Sequence, residues 1–215
     1  MKREDTRQII LDKALELFSA RGYDSVSVGE IADAVGIKAP SLYNHFPSKW
    51  AIFDGIVEAT AAQYEADTDR LQLHVQNVAQ DIPAFTEITE ETLFERVRQI
   101  FLYSLHNESI SRFRRMMTIE QFRSPELAEF YSRRYVDRVL AYHAGIFRAL
   151  IAAGEIRESD PDTLSMLYVA PVLTLIGVCD RQPEREDECL EKLRRHVSLF
   201  FRMVHNGGRQ GGERR

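Results

Sequence analysis

Residues 27–46 form the segment that most constrains the fold, because their pattern predicts two short helices joined by a tight turn. Ser27 and Glu30 have the Ser-x-x-Glu spacing of a capping box, so a helix is expected to begin after Ser27. Gly36 follows the apolar residues of that helix, where a left-handed residue ends it. Pro40 stands near the start of the next helix, where its missing N–H is harmless. The segment therefore predicts a helix-turn-helix motif, whose second helix enters the major groove of DNA.

The second helix of this motif has one apolar side and one side suited to nucleic acid. Leu42 and Phe46 lie four residues apart and are expected to hold the helix on a core. Lys38 and Asn44 carry donors for base edges, while hydroxyl and ring N–H groups suit phosphates. The predicted DNA-binding residues are Ser27, Lys38, Ala39, Pro40, Ser41, Tyr43, Asn44, His45 and Lys49.

Structural roles compete with DNA contact at four of these positions. Ser27 can serve only as the helix cap, and Tyr43 can pack into the core. His45 can cover the core of the motif, and Lys49 can be a solvated charge. If Lys49 instead contacts DNA, its place at the start of a helix suits a phosphate.

The rest of the chain is also predicted to be helical, so the expected class is all-α with about nine helices. An apolar stripe predicts a first helix over residues 5–20. Helices are expected over 49–76, about 89–106 and 109–122, with a looser link at 78–88 that contains Pro83. A long helix is expected from Ser124-Pro125 to near Gly154, and Asp160-Pro161 opens the eighth.

The amino-terminal quarter resembles the TetR family of transcriptional regulators. The resemblance covers roughly residues 7–57, and Leu42-Tyr43-Asn44-His45-Phe46-Pro47-Ser48-Lys49 is its most specific stretch. One departure is Lys38, which replaces the usual Ser or Thr cap and should weaken it. The other matching residues are Arg7, Ile10, Ala14, Leu17, Phe18, Gly22, Tyr23, Ser25, Ser27, Val28, Ile31, Ala32 and Gly36.

The resemblance implies a division of the chain and a mode of action. We expect a DNA-binding domain at residues 1–48, an effector-binding and dimerisation domain at 49–205, and a flexible tail at 206–215. The implied function is a homodimeric regulator, more often a repressor, that binds a palindromic double-stranded operator. A small-molecule effector would release it by moving the fourth helix and changing the separation of the two DNA-binding domains.

The last two predicted helices carry repeated apolar positions that suggest self-association. The first of them also has a second face of small residues at Ala170, Thr174 and Gly177, and a helix that is apolar on two sides is buried on two sides. The alternative is a central helix of a monomer. The predicted interface residues are Leu164, Tyr168, Pro171, Leu175, Val178, Leu190, Leu193, Val197, Phe200 and Val204.

Aromatic and sulfur-containing side chains are abundant in the carboxy-terminal part, which exceeds what dimerisation alone requires. By resemblance it would hold an effector pocket, although each of these side chains can equally belong to the core. The predicted pocket residues are Tyr64, Phe101, Met116, Met117, Tyr131, Tyr135, Phe147 and Tyr168. Arg112, Arg114 and Arg115 can anchor an anion or form a solvated face.

Composition and charge limit the possible modes of DNA binding and the possible localisation. The formal net charge is −5, while the first fifty residues hold seven basic and seven acidic side chains. The case for DNA therefore depends on the motif and not on charge. A mixed-charge amino terminus, an apolar run of about 14 residues and two cysteines predict a cytoplasmic protein without a secretory signal or membrane span.

The sequence lacks the motifs that would indicate an enzyme. None of the six histidines follows a Glu at Glu-x-x-His spacing, as a di-iron bundle requires. The sequence also lacks His-Glu-x-x-His, a phosphate-binding glycine loop and Gly-x-Ser-x-Gly. We therefore predict no enzymatic activity, no cofactor and no bound metal. The remaining alternative is a helical protein–protein interaction module without a role in DNA binding.

Overall fold

The computed structural model describes residues 3–70, 77–122 and 125–205, and over these ranges the chain is helical. An isolated β-bridge between Ile156 and His205 is the only strand-like pairing among them. The all-α prediction is confirmed. The helices are α1 (Arg3–Arg21), α2 (Val28–Val35), α3 (Ala39–Tyr43), α4 (Lys49–Arg70), α5 (Val78–Phe85), α6 (Glu90–His106), α7 (Glu108–Glu120), α8 (Pro125–Tyr131), α9 (Arg138–Ala152), α10 (Pro161–Arg181) and α11 (Glu186–Val204).

Helix α5 replaces the loose link that was expected at residues 78–88. Its first turn is capped by Asn77, whose side-chain oxygen accepts hydrogen bonds from the backbone N–H groups of Ala79 and Gln80 at 3.2 and 3.4 Å. Pro83 lies inside the helix and removes one donor from the intrahelical ladder. The prediction treated Pro83 as a helix breaker, whereas the Asn77 cap supports eight residues of helix around it.

The single long helix expected from Ser124-Pro125 to Gly154 is interrupted. A π-helical segment, Ser132–Asp137, separates α8 from α9. Because a π turn contains more residues than an α turn, it rotates the inward face between the two helices. The prediction of one uninterrupted helix is therefore wrong, although Tyr142, Ile146 and Leu150 on α9 are buried. Ser124, where the long helix was expected to begin, the side chain of Tyr135, and residues 71–76 and 206–215 lie outside the described part of the chain.

The helices group into two compact units. The head unit comprises the described residues of Met1–Arg70 and His106–Ser132. In it α1 packs against α2, α4 and α7, which explains why Leu11 and Leu15 are buried. Of the predicted apolar stripe, Ile10, Ala14 and Phe18 are buried, and Leu17 is only partly buried. Helix α7 thus belongs to the same packing unit as the helix-turn-helix motif. The predicted boundary at residue 48 remains a proposal about function.

The body unit comprises the described residues of Leu71–Leu105 and Arg133–Arg215. Its core is built from α5, α6, α9, α10 and α11, with α10 packed against both α9 and α11. Helix α10 has the length and composition to span a membrane, with a mean hydropathy of 1.6 in its most apolar window. Its buried Leu164, Tyr168 and Leu175 instead join the core of this unit, as in the central helix of a globular protein.

Candidate nucleic-acid interface

Helix α2 begins at the predicted capping box. The Ser27 hydroxyl accepts a hydrogen bond from the Glu30 N–H at 3.2 Å, and the Glu30 carboxylate accepts one from the Ser27 N–H at 2.8 Å. Arg21, at the end of α1, forms an ion pair with Glu30 at 2.7 Å. Hydrogen bonds from Ser27 and Arg21 lower the pKa of Glu30 to about 2. Glu30 therefore remains ionised and fixes the start of α2 relative to the end of α1.

The turn between α2 and α3 also follows the prediction. Gly36 is left-handed, with φ of 78°, and the N–H of the next residue, Ile37, bonds to the Ala32 carbonyl at 3.0 Å. Lys38 is the residue before α3 and makes no side-chain capping bond. The weaker cap expected at Lys38 is thus observed.

Helix α3 is held by its apolar side. Leu42 is fully buried, and Phe46 is 2% exposed. The Arg7 guanidinium lies 4.7 Å from the centre of the Phe46 ring, so α1 also contacts this anchor. These contacts fix α3 although it is only five residues long and lacks a side-chain cap.

Most predicted DNA-binding residues are gathered on the opposite side of α3 and around its ends. Tyr43 is 51% exposed, which is incompatible with a core role for its ring. Ala39 and His45 are partly buried. The exposed members of the set are Ser27, Lys38, Pro40, Ser41, Tyr43 and Asn44. Apart from Ser27, which caps α2 and donates its hydroxyl proton to Glu30 at 2.9 Å, they present amide, hydroxyl and ammonium groups on α3 and its flanks. These are the donor types that recognise base edges and phosphates.

The structure changes the assignment of Lys49. Its ammonium donates hydrogen bonds to the carbonyl oxygens of Tyr23 and Val26, at 2.9 and 3.0 Å. It also lies 4.2 Å from the centre of the Tyr23 ring. Two of its three N–H donors are thus used inside the chain. We revise Lys49 from a phosphate ligand to a brace that joins the start of α4 to the loop between α1 and α2.

Glu120, at the end of α7, fixes the same loop, and the sequence analysis did not identify this residue. Its carboxylate is buried and accepts a hydrogen bond from the Tyr23 N–H at 2.7 Å. The Tyr23 peptide is therefore held by α7 through Glu120 and by α4 through Lys49. The one available signal was an acidic residue within the apolar pattern of α7, which also fits an exposed position.

The predicted pocket residues are divided between the two units. Tyr64, Met116, Met117 and Tyr131 belong to the head unit, where both methionines are fully buried. Phe101, Phe147 and Tyr168 belong to the body unit, and the side chain of Tyr135 is outside the described part. Whether all eight line one pocket therefore stays a prediction, while the two methionines occupy core positions of the head unit.

A small cavity lies inside the body unit. Its volume is about 20 Å³, room for about one water molecule. Phe147 and Tyr168 are the two predicted residues that line it, together with His143. The Nδ1–H of His143 donates to the Val139 carbonyl at 2.9 Å, and burial lowers the pKa of His143 to about 4. The ring is therefore neutral near pH 7.

The predicted dimer interface also needs correction. Within α10 and α11, the apolar stripes that were expected to face a partner instead face the core of their own body unit. Pro171, Val178 and Leu190 are partly exposed. The buried members of the set are Leu164, Tyr168, Leu175, Leu193, Val197, Phe200 and Val204.

A different face of α10 and α11 is apolar and exposed. Leu199 is 64% exposed, and the predicted small residues Ala170 and Thr174 are also exposed on α10. We call this set the exposed apolar face; its large members are Met166, Leu167, Leu173, Leu199 and Met203. Sequence reasoning recognised two apolar sides on α10 and assigned the interface to the side that packs in the body core.

This arrangement defines a helix-turn-helix protein with an appended helical unit. Residues 10–56 match the model of bacterial regulatory proteins of the tetR family. Residues 91–174 match the model of the AefR-like transcriptional repressor, C-terminal domain. The chain belongs to the TetR family of transcriptional regulators, which are DNA-binding proteins and not enzymes.

Individual relatives agree with this assignment. The chain is 42% identical over 73 residues to the HTH-type transcriptional regulator AcrR of Shigella flexneri, a match that covers 34% of this chain and 32% of AcrR. It is 29% identical over 128 residues to IcaR of Staphylococcus aureus, the negative transcriptional regulator of the biofilm operon icaADBC, covering 57% of this chain and 67% of IcaR.

A solved structure supports the fold over nearly the whole chain. The SmeT–triclosan complex matches with a TM-score of 0.67 and 21% identity, covering 98% of this chain and 96% of SmeT. At this level of identity the comparison establishes the fold alone. Triclosan is a ligand of SmeT in that complex.

Proposed function

We propose that this chain is a cytoplasmic repressor that binds a palindromic double-stranded DNA operator as a homodimer and leaves it when a small molecule binds. The observation that carries the proposal is the polar surface of α3, exposed at Tyr43 and Asn44 while Leu42 and Phe46 anchor the helix. Repression is supported by the AefR-like repressor domain match and by the negative regulator IcaR.

The proposed dimer uses the exposed apolar face of α10 and α11. Five large apolar side chains on two neighbouring helices form the kind of surface that soluble proteins cover with a partner. A second copy of the chain supplies the same surface, so a two-fold axis can bury both. Two α3 helices then read two half-sites, which lie about one helical turn of DNA, 34–36 Å, or a multiple of it apart.

Footprinting of the purified protein on promoter DNA next to its own coding region tests the DNA-binding part of the proposal. We expect protection of a site with two-fold symmetry. Tyr43→Phe should weaken binding to all DNA sequences alike, because the hydroxyl is assigned to phosphate. Absence of protection on every neighbouring fragment at low salt would favour the protein-interaction alternative.

Effector release is proposed for the body unit. Support comes from the aromatic lining of its cavity and from the triclosan complex of the structurally similar SmeT. The cavity at about 20 Å³ is far below the roughly 300 Å³ of a ligand pocket. We therefore expect the surrounding side chains to move on binding, and a compound screen scored by operator release tests this step.

A further inference from the structure

A buried carboxylate lies between α5 and α9 in the body unit, and only one of its two oxygens accepts a hydrogen bond. Asp81 is 2% exposed. Its Oδ2 accepts a hydrogen bond from the Tyr142 hydroxyl at 2.7 Å. Its Oδ1 is buried and has no hydrogen-bond partner among the described residues. A buried carboxylate oxygen without a donor is costly, so this atom indicates a missing donor.

The position of the pair along the two helices connects it to the cavity. Phe85 follows Asp81 by four residues on α5, and Ile146 follows Tyr142 by four residues on α9. Residues four apart in a helix are neighbours on one face. Phe85 and Ile146 both line the cavity. The unsatisfied carboxylate is therefore about one helical turn from an aromatic-lined space, along the seam of the same two helices.

The contact between α5 and α9 is close at this point. A Cβ on Gly145 would lie 2.9 Å from the nearer methyl carbon of Val78, so glycine permits the approach of the two helices. The close packing buries Asp81 without supplying a second donor. Arg96 on α6 is a nearby cation, since its charge acts on Tyr142 and its guanidinium lies 5.7 Å from the centre of the Phe85 ring.

We propose that Asp81 is the recognition group for an effector that joins a protonated amine to an apolar ring. The ammonium N–H would donate to Oδ1 of Asp81, and the ring would enter the space lined by Phe85, Phe147 and Tyr168. This inference rests on the proposed effector response and specifies its chemistry. A neutral alcohol of the same shape makes a weaker bond, and a carboxylate is repelled.

Matched ligands provide the test on the full-length wild-type protein. Benzylamine, benzyl alcohol and benzoate share a ring and differ in charge, and calorimetric titration at pH 7 measures their binding. A hydrogen bond to a charged group is worth about 1.5 kcal/mol or more, so benzylamine should bind at least about tenfold more tightly than benzyl alcohol. Equal binding, or preference for benzoate, would overturn the proposal.

Two variants test whether Asp81 is responsible for the preference for benzylamine. Asp81→Asn retains an acceptor for Tyr142 but removes the charge, so the preference for benzylamine should fall to near one. Tyr142→Phe retains the carboxylate, so the preference should persist. A preference that survives Asp81→Asn would assign amine binding elsewhere and refute the role of Asp81. If Asp81→Asn does not fold, the wild-type ligand series alone decides.

Operator binding is measured separately by gel shift, so the two proposals fail in different ways. If the protein binds amines selectively but binds no DNA, the amine site is supported and the repressor function is contradicted. If the protein binds the operator but shows no preference for the amine, the repressor function is supported and the proposed amine site at Asp81 is contradicted.

Discussion

The carboxylate of Glu120 and the backbone N–H of Tyr23 form a 2.7 Å hydrogen bond across 97 residues of sequence. This bond joins the end of α7 to the loop that precedes the helix-turn-helix motif. The carbonyl of the same Tyr23 accepts a hydrogen bond from Lys49 at 2.9 Å. Helices α7 and α4 thus fix the backbone N–H and the backbone carbonyl of Tyr23. These two bonds hold the loop from which α2 begins.

Removal of the Glu120 carboxylate is therefore expected to destabilise the head unit. Glu120→Ala leaves the Tyr23 N–H without its acceptor and should lower the free energy of unfolding by about 1–3 kcal/mol, with weaker operator binding. Glu120→Gln retains an oxygen acceptor and should recover most of the loss. Urea unfolding and DNA-binding anisotropy measure both effects. Glu108→Ala, an exposed change on the same helix, is the control, and an equal effect there would contradict the assignment.

Lys38 and Lys49 form a matched pair with different expected roles. Lys49→Met removes two hydrogen bonds to backbone carbonyls, so it should lower the thermal midpoint of the free protein. Lys38→Met should leave that midpoint unchanged and weaken operator binding by about 1–3 kcal/mol, since Lys38 is assigned to a base edge. Thermal melts without DNA and titrations with operator separate the two. The opposite outcome would restore Lys49 as the DNA ligand.

Charge on the exposed apolar face should separate the protomers. Leu173→Glu combined with Leu199→Glu places carboxylates where the proposed interface is apolar, at positions 41% and 64% exposed in the single chain. We expect a monomer in sedimentation equilibrium with the fold retained. Phe122→Glu changes an equally apolar residue that is 89% exposed in the head unit and should leave the dimer intact. A dimer in both variants would place the interface elsewhere.

His143 should make stability depend on pH. Burial lowers its pKa from 6.5 to about 4 in the folded protein, so the unfolded chain binds the proton more readily between these values. Stability should therefore fall as the pH drops from about 6.5 to 4, by up to roughly 1 kcal/mol per pH unit. The difference between wild type and His143→Gln in urea unfolding isolates this group. Parallel pH profiles would show that His143 is not responsible.

Local sequence rules predicted the helix-turn-helix motif well. The capping box at Ser27 and the left-handed Gly36 depend on residues within a few positions of each other, and both are observed. The burial of Leu42 and Phe46 follows from helical spacing in the same way. Such features need no knowledge of distant parts of the chain.

Features that depend on distant contacts were not predictable in this way. Lys49 looked like a phosphate ligand because its position near a helix start was visible, whereas the Tyr23 and Val26 carbonyls that receive it were not. The faces of α10 were assigned wrongly because periodicity shows that two sides are apolar without showing which one meets the body core. The π turn before α9 carries no simple sequence signature, so the long helix was predicted without its interruption.

The packing of α1 between the helix-turn-helix motif and α7 bears on how this protein can be divided experimentally. A fragment that ends after residue 70 would lose α7, and with it the cover over one side of α1 and the Glu120 acceptor. The α1 side chains that pack against α7 would become exposed to water, which would favour aggregation of such a fragment. Domain swaps between relatives should therefore transfer residues 106–132 together with the amino-terminal helices.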